Sequence, residues 1–331
     1  MPSRPARRSR LRVSATYLAA VADWLERAGH GASAACGRIR RLRVDDDLSP
    51  EDAERLLAEA ATLTGDPLAA LHAGRAVEWT HLGALGHLLA GSRTLEDLLN
   101  GYVYYEAQFY GLNIANLQRE PGHVTLYWTS GAAMPQFSLF SVSSVVAIIR
   151  ASGIPPECIA SVLLPEDATL EAAACSRVLG CEHVTFGRSI GVTVPRAALG
   201  RGLVLRTPAA DRAAQLAALF PELDDVALRA VLYDAIAAAL PHRKADLAHV
   251  AGRLAMSPRT LQRRLAAIPD GLRGAIGRVR MHLAETYLRD PTLKLLAVSM
   301  LLGYSEQSAF HLAFRKSHGC APGQWRRERT P

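Results

Sequence analysis

The chain has 331 residues and a mass of 35.7 kDa, with 49% hydrophobic and 21% charged residues, the balance of a folded protein of about two domains. No apolar run reaches the roughly 20 residues of a membrane span, since residues 137–149 are too few and are broken by four serines. The net charge of +7 is uneven: residues 1–12 carry +5, residues 13–222 about −6 and residues 223–331 +8, so the last third has the footprint of a polyanion binder.

Residues 1–12 read as a flexible basic arm. Five arginines with no apolar core behind them do not make a secretory signal. The arm could reach a DNA minor groove or serve only solubility. Five scattered cysteines in so large a chain fit a reducing cytoplasm. Residues 11–29 have helical spacing, with Tyr17, Leu18, Val21, Trp24 and Leu25 on one stripe. Ser49-Pro50-Glu51-Asp52 is a helix start, and Gly65-Asp66-Pro67 is its stop. Further helices are expected over 67–76, 82–91 and 94–109. Strand signals follow at 112–119 and 123–129 around the turn Glu120-Pro121-Gly122. Residues 137–151 read as helix, 158–164 and 187–194 as strands, and 170–179 as a helix between them. The acidic part, 13–205, is thus a mixed α/β domain. An alanine-rich linker occupies 206–222, and 223–331 is all helical.

Two helix-turn-helix units in this last part carry the sharpest signal. In residues 246–265, Leu247, Val250, Ala251 and Leu254 form an apolar face and Ala255-Met256 a corner. Ser257 caps a second helix with Pro258 at its first position, where a missing N–H costs nothing. Leu261 and Leu265 point inward, while Arg259, Gln262, Arg263 and Arg264 point outward. Arginine and glutamine are the side chains that match guanine and adenine edges in a major groove. In residues 295–316, Val298, Leu301 and Leu302 pack, Gly303 turns, and Ser305 is expected to cap. There Phe310 and Phe314 anchor the second helix, with Gln307, Ser308, His311 and Arg315 facing outward. A long helix at 272–288 joins the units, with Val279, Leu283, Thr286 and Tyr287 on its inner side. Phosphate contacts are assigned to Ser257, Thr260, Arg264, Arg278, Arg280, Ser305, Arg315 and Lys316.

Ser257-Pro-Arg-Thr-Leu-Gln-Arg-Arg-Leu265, then Leu302-Gly-Tyr-Ser-Glu-Gln-Ser-Ala-Phe310, Ala313-Phe-Arg315 and Ala321-Pro-Gly323 resemble the AraC/XylS family DNA-binding domain over about residues 240–327. The resemblance implies seven helices that insert two recognition helices into adjacent major-groove segments. Carried over residue by residue, it places base contacts at Arg259, Gln262 and Arg263, then at Gln307, Ser308, His311 and Leu312. Relatives with strong readout at the second site place arginine at the last of these. Leucine cannot donate to a base, so the second helix is expected to position more than it specifies. Ala255 stands where glycine is usual, and Ser299 where a small apolar residue is usual. Over about residues 13–205, Gly91-Ser-Arg-Thr-Leu95, the aromatic run 102–110 and Leu179-Gly-Cys-Glu-His-Val-Thr-Phe-Gly187 resemble the arabinose-binding-type domain of the ornithine-utilisation-regulator branch. That implies a domain that senses a small molecule and helps form a homodimer.

Other constellations are weaker. Cys175, Cys181 and His183 match no usual zinc spacing, and His81 and His87 are six apart, so no metal and no cofactor is expected. Tyr102, Tyr105, Phe109 and Trp128 are candidates to line an effector pocket, with core packing as the plainer role. No phosphate-binding glycine loop or nucleophile elbow exists. The expectation is a cytoplasmic, non-enzymatic transcription activator that binds promoter or operator duplex. Its small-molecule effector would shift the population of a DNA-competent or RNA polymerase-contacting arrangement. The rivals are a small-molecule enzyme with a helical accessory domain and an effector-independent architectural DNA binder.

Overall fold

The computed structural model describes residues 13–43, 46, 48–89, 92–105, 115–128, 134–167, 169–203 and 216–329. The basic arm at 1–12 and the first ten residues of the linker lie outside them. The chain divides into two compact units, Met1–Leu205 and Arg206–Pro331.

The first unit opens with helices α1 (Ala15–Arg27), α2 (Ala34–Arg40), α3 (Pro50–Thr64), α4 (Ala69–Arg75), α5 (Ala84–Leu89) and α6 (Leu95–Tyr105). Strands β1 (Ala115–Arg119) and β2 (His123–Trp128) form the expected antiparallel hairpin. Helix α7 (Pro135–Ala151), β3 (Ser161–Pro165), α8 (Ala172–Leu179), β4 (Val184–Gly187) and β5 (Ile190–Pro195) follow. The five strands lie in the order β1-β2-β5-β3-β4, antiparallel except for the β3–β4 pair. The strand expected at 187–194 is β5, starting at Ile190, and an additional strand, β4, precedes it, separated from it by Arg188-Ser189. The one expected from Cys158 starts later, because two prolines at 155 and 156 turn the chain through a short 3-10 helix ending at Cys158.

Local chemistry explains these elements. Ser49 and Asp52 form a reciprocal capping box at the start of α3, as its sequence demands. Helix α7 has no cap of its own, and Glu54 from α3 fills that role by accepting from the backbone N–H groups of Gln136 (3.2 Å) and Phe137 (2.7 Å). Burial pushes the Glu54 carboxyl up against those two bonds. Helices α4 and α7 meet at Gly74, where a Cβ would lie 2.4 Å from the Phe140 carbonyl. The Ser143 hydroxyl donates to the Leu71 carbonyl across the same contact at 2.7 Å. Arg75 donates to the Val178 carbonyl and Arg150 to that of Gly180, closing the C-terminal end of α8.

The second unit is all helical among its described residues. It comprises α9 (Val226–Ala239), α10 (Leu247–Arg253), α11 (Pro258–Arg264), α12 (Gly271–Arg289), α13 (Leu295–Leu301), α14 (Gln307–His318) and α15 (Pro322–Arg329). The central α12 buries Val279, Leu283 and Tyr287. Thr286, expected on that inner side, is exposed and bonds back to the His282 carbonyl at 3.2 Å. Ahead of α9, Leu216, Phe220 and Leu223 are buried. The described end of the linker is therefore packed structure.

Candidate nucleic-acid interface

Two helix pairs build the interface. In the first, Asp246 caps α10 by accepting from His249 N–H at 2.8 Å, and Val250 and Ala251 are fully buried. The corner at Ala255 has φ +53°, a left-handed conformation that glycine adopts at no steric cost and alanine does not. Ser257 then caps α11, accepting from Thr260 N–H at 3.2 Å, with its hydroxyl 2.8 Å from that of Thr260. Leu261 and Leu265 are fully buried. This leaves the Arg259, Gln262 and Arg263 side chains exposed, with no side-chain hydrogen bond or ion pair to another described residue. Arg264 is also exposed but lies 3.6 Å from Asp225, the residue that caps α9.

The second pair repeats the plan with different chemistry. Val298, Leu301 and Leu302 are buried, and Gly303 turns the chain at φ +75°. A Cβ there would lie 2.2 Å from the Leu240 carbonyl, so the corner has no room for a side chain. The buried Ser299 satisfies its hydroxyl on the Leu296 carbonyl at 2.8 Å, so its departure from an apolar residue leaves nothing unpaired.

The N-cap of α14 is Glu306 in extended backbone, not Ser305 as expected, and it makes no side-chain capping bond. The helix starts one residue later than the sequence suggests. Ser305 is exposed, and the Glu306 carboxylate instead accepts from the Ser308 hydroxyl at 3.1 Å. Phe310 and Phe314 are fully buried in contact with one another, and Trp325 of α15 meets Phe314 edge-on. Beside them, the half-buried Gln307 and His311 lie 3.2 Å apart, amide nitrogen to ring nitrogen, and the His311 ring meets Phe310 edge-on. The Arg315 and Lys316 side chains are exposed with no side-chain hydrogen bond or ion pair to another described residue.

Two arginines assigned to phosphates are spoken for inside the domain. The Arg278 guanidinium donates to both carboxylate oxygens of Glu222, at 2.7 and 2.6 Å, and to the Leu219 carbonyl at 3.2 Å. That paired hydrogen bond holds the Glu222 carboxyl down to about 2. Arg280 donates to the Leu302 carbonyl at 3.0 Å and lies over the Tyr304 ring, 4.8 Å from its centroid. Both are positioning groups: one fastens the end of the linker to α12, the other fastens the second turn to it. The sequence shows each as a basic residue on a helix, and neither partner is near it in the chain.

In the first unit, the aromatic candidates divide. Trp128 is buried and meets the half-buried Tyr102 edge-on at 5.8 Å. The Tyr105 side chain and Phe109 lie outside the described residues. A cavity of about 900 Å³ opens elsewhere, against the polar face of β2, β3 and β5, lined by Glu120, His123, Thr125, Ser161, Glu182 and Thr193 among others. Thr125 and Thr193 share a hydroxyl–hydroxyl bond of 3.0 Å there. The sequence does not show this cavity, because its residues come from separate strands that only the sheet register brings together. Cys181 and Cys175 are buried thiols raised by that burial, and Cys181 points at the carbonyls of Ile159 and His183.

Comparison with known proteins agrees with both units. Residues 29–203 match the family described as the arabinose-binding domain of AraC transcription regulator, N-terminal, and residues 250–328 match a helix-turn-helix domain family. The HTH-type transcriptional regulator VirS of Mycobacterium tuberculosis is 31% identical over 269 residues, 76% of this chain and 77% of its own. The ornithine utilization regulator of Pseudomonas aeruginosa is 36% identical over 81 residues, 24% of each chain. A crystal structure of the transcriptional regulator CdpR from Pseudomonas aeruginosa covers 94% of this chain and 98% of its own at 21% identity, with a TM-score of 0.41.

Proposed function

The chain belongs to the AraC family of transcription regulators, and from that premise we propose that it binds a specific promoter duplex and activates transcription in response to a small molecule. Arg259, Gln262 and Arg263 of α11 contact base edges in one major-groove segment. Gln307, Ser308 and His311 of α14 face the next. Ser257, Thr260, Arg264, Ser305, Arg315 and Lys316 contact phosphates, whereas Arg278 and Arg280 leave that set because the domain uses them internally.

One observation carries this reading: the three α11 side chains are exposed and unengaged on a helix whose opposite face is fully buried. Folding gives them no work, and a groove edge is the partner their chemistry matches. The effector enters the first unit, where two places support a pocket: the aromatic set Tyr102, Tyr105, Phe109 and Trp128, and the open polar cavity. The protein works in the cytoplasm, as a homodimer that contacts RNA polymerase, without catalysis. No described helix is long and apolar enough to cross a membrane.

The test is selection of duplexes from a random library by the full chain, followed by Gln262→Ala. The variant should weaken the selected duplex by about 1–3 kcal/mol, relax one base position and leave scrambled DNA unaffected. Equal weakening on scrambled DNA would refute the base contact.

A further inference from the structure

Leu312 is 71% exposed, the highest value among the exposed large hydrophobic residues described. A lone exposed leucine means little by itself; its position gives it meaning. It stands two residues from each of Phe310 and Phe314, so at about 100° per residue it lies roughly 160° around α14 from both anchors. It therefore projects away from the core, in the row that holds the exposed Ser308, Arg315 and Lys316. Every other side chain in that row is polar.

Hydrogen bonding is not the only language of the major groove. Thymine presents a C5 methyl group there, and an apolar side chain reads it by burying it. We propose that Leu312 reads a thymine methyl in the DNA segment facing α14. The inference rests on the DNA-reading role given above to the two helices. It turns the lost donor at this position into a different selectivity. A leucine covers a methyl and leaves a cytosine amino group or an adenine amino group without a partner, so it favours thymine over bases that must be desolvated. Arg315 and Lys316, exposed on the following turn, supply the phosphate attraction that holds the helix against the groove.

The experiment uses the duplex selected by the full chain and replaces its thymines one at a time by deoxyuridine, which deletes only the methyl. One thymine in the segment facing α14 should show a loss of about four-fold, the value of one buried methyl-sized group. Leu312→Ala should lose the same factor on the thymine duplex and show no further loss on the uracil duplex. Its melting temperature should match that of the parent, because the side chain lies outside the core. Equal methyl sensitivity in parent and variant would assign the contact to another residue and overturn the proposal, as would the absence of any methyl-sensitive thymine in that segment. A selection that enriches a sequence while Leu312 proves silent defeats this inference alone. A selection that enriches nothing defeats the DNA-reading role as well.

Discussion

The two corners of the helix-turn-helix units show what a single residue decides. Ala255 holds a left-handed backbone at φ +53° with a side chain that disfavours it. Gly303 holds φ +75° with no room for a Cβ beside the Leu240 carbonyl. Ala255→Gly should therefore stabilise the protein by about 1 kcal/mol, since it removes a strain of that order. Gly303→Ala should destabilise it by roughly 2 kcal/mol or more, since it adds both strain and a clash. Thermal melts of the two variants check both signs, and an Ala255→Gly variant that melts lower would refute the account of the first corner. The sequence marks both positions as turns, and by resemblance it marks Ala255 as a departure from glycine. It does not show the Leu240 carbonyl, which comes from 63 residues away.

At the scale of elements, α12 is the beam to which other parts are fastened. Arg278 ties it to the end of the linker and Arg280 ties it to the second turn. The Glu222 carboxyl is held down by the Arg278 hydrogen bond, from 4.5 to about 2. An acid depressed on folding stabilises above its unfolded value, and that contribution is lost as pH falls through the folded value. Glu222→Gln should melt below the parent at pH 7, and the gap should close as pH falls from 4.5 towards 2. A gap independent of pH over that range would mean that the pair contributes nothing through its charge.

The same geometry separates basic residues that sequence alone places together. Lys316→Gln should lower the slope of log affinity against log salt by about 1, the signature of one lost phosphate contact. Arg278→Gln should leave the slope unchanged and lower the melting temperature. A slope that falls with Arg278→Gln would return that residue to the interface. Helix periods, caps and the hairpin turn were legible because they are local patterns of 3.6 or 2 residues with short-range cap chemistry. The Glu222–Arg278 clamp and the Glu54 cap on α7 span 56 and more than 80 residues. Sequence shows such groups as polar without showing whom they meet. The cap of α14 was misread by one position because Ser305 and Glu306 stand side by side and only the backbone decides between them.

For the whole molecule, charge and division tell one story. The all-helical unit carries a net positive charge and both helix pairs, while the acidic stretch 13–205 carries the sheet and the polar cavity. Non-specific attraction should come from the first of these, steeply dependent on salt, with base contacts supplying the sequence preference on top. The most direct test is fluorescence anisotropy of the full chain on its own upstream DNA and on a scrambled duplex of equal length, across a salt series. The account predicts weakening of both with salt and a preference for the upstream duplex that survives at physiological ionic strength. No binding to either duplex, even at low salt, would contradict it.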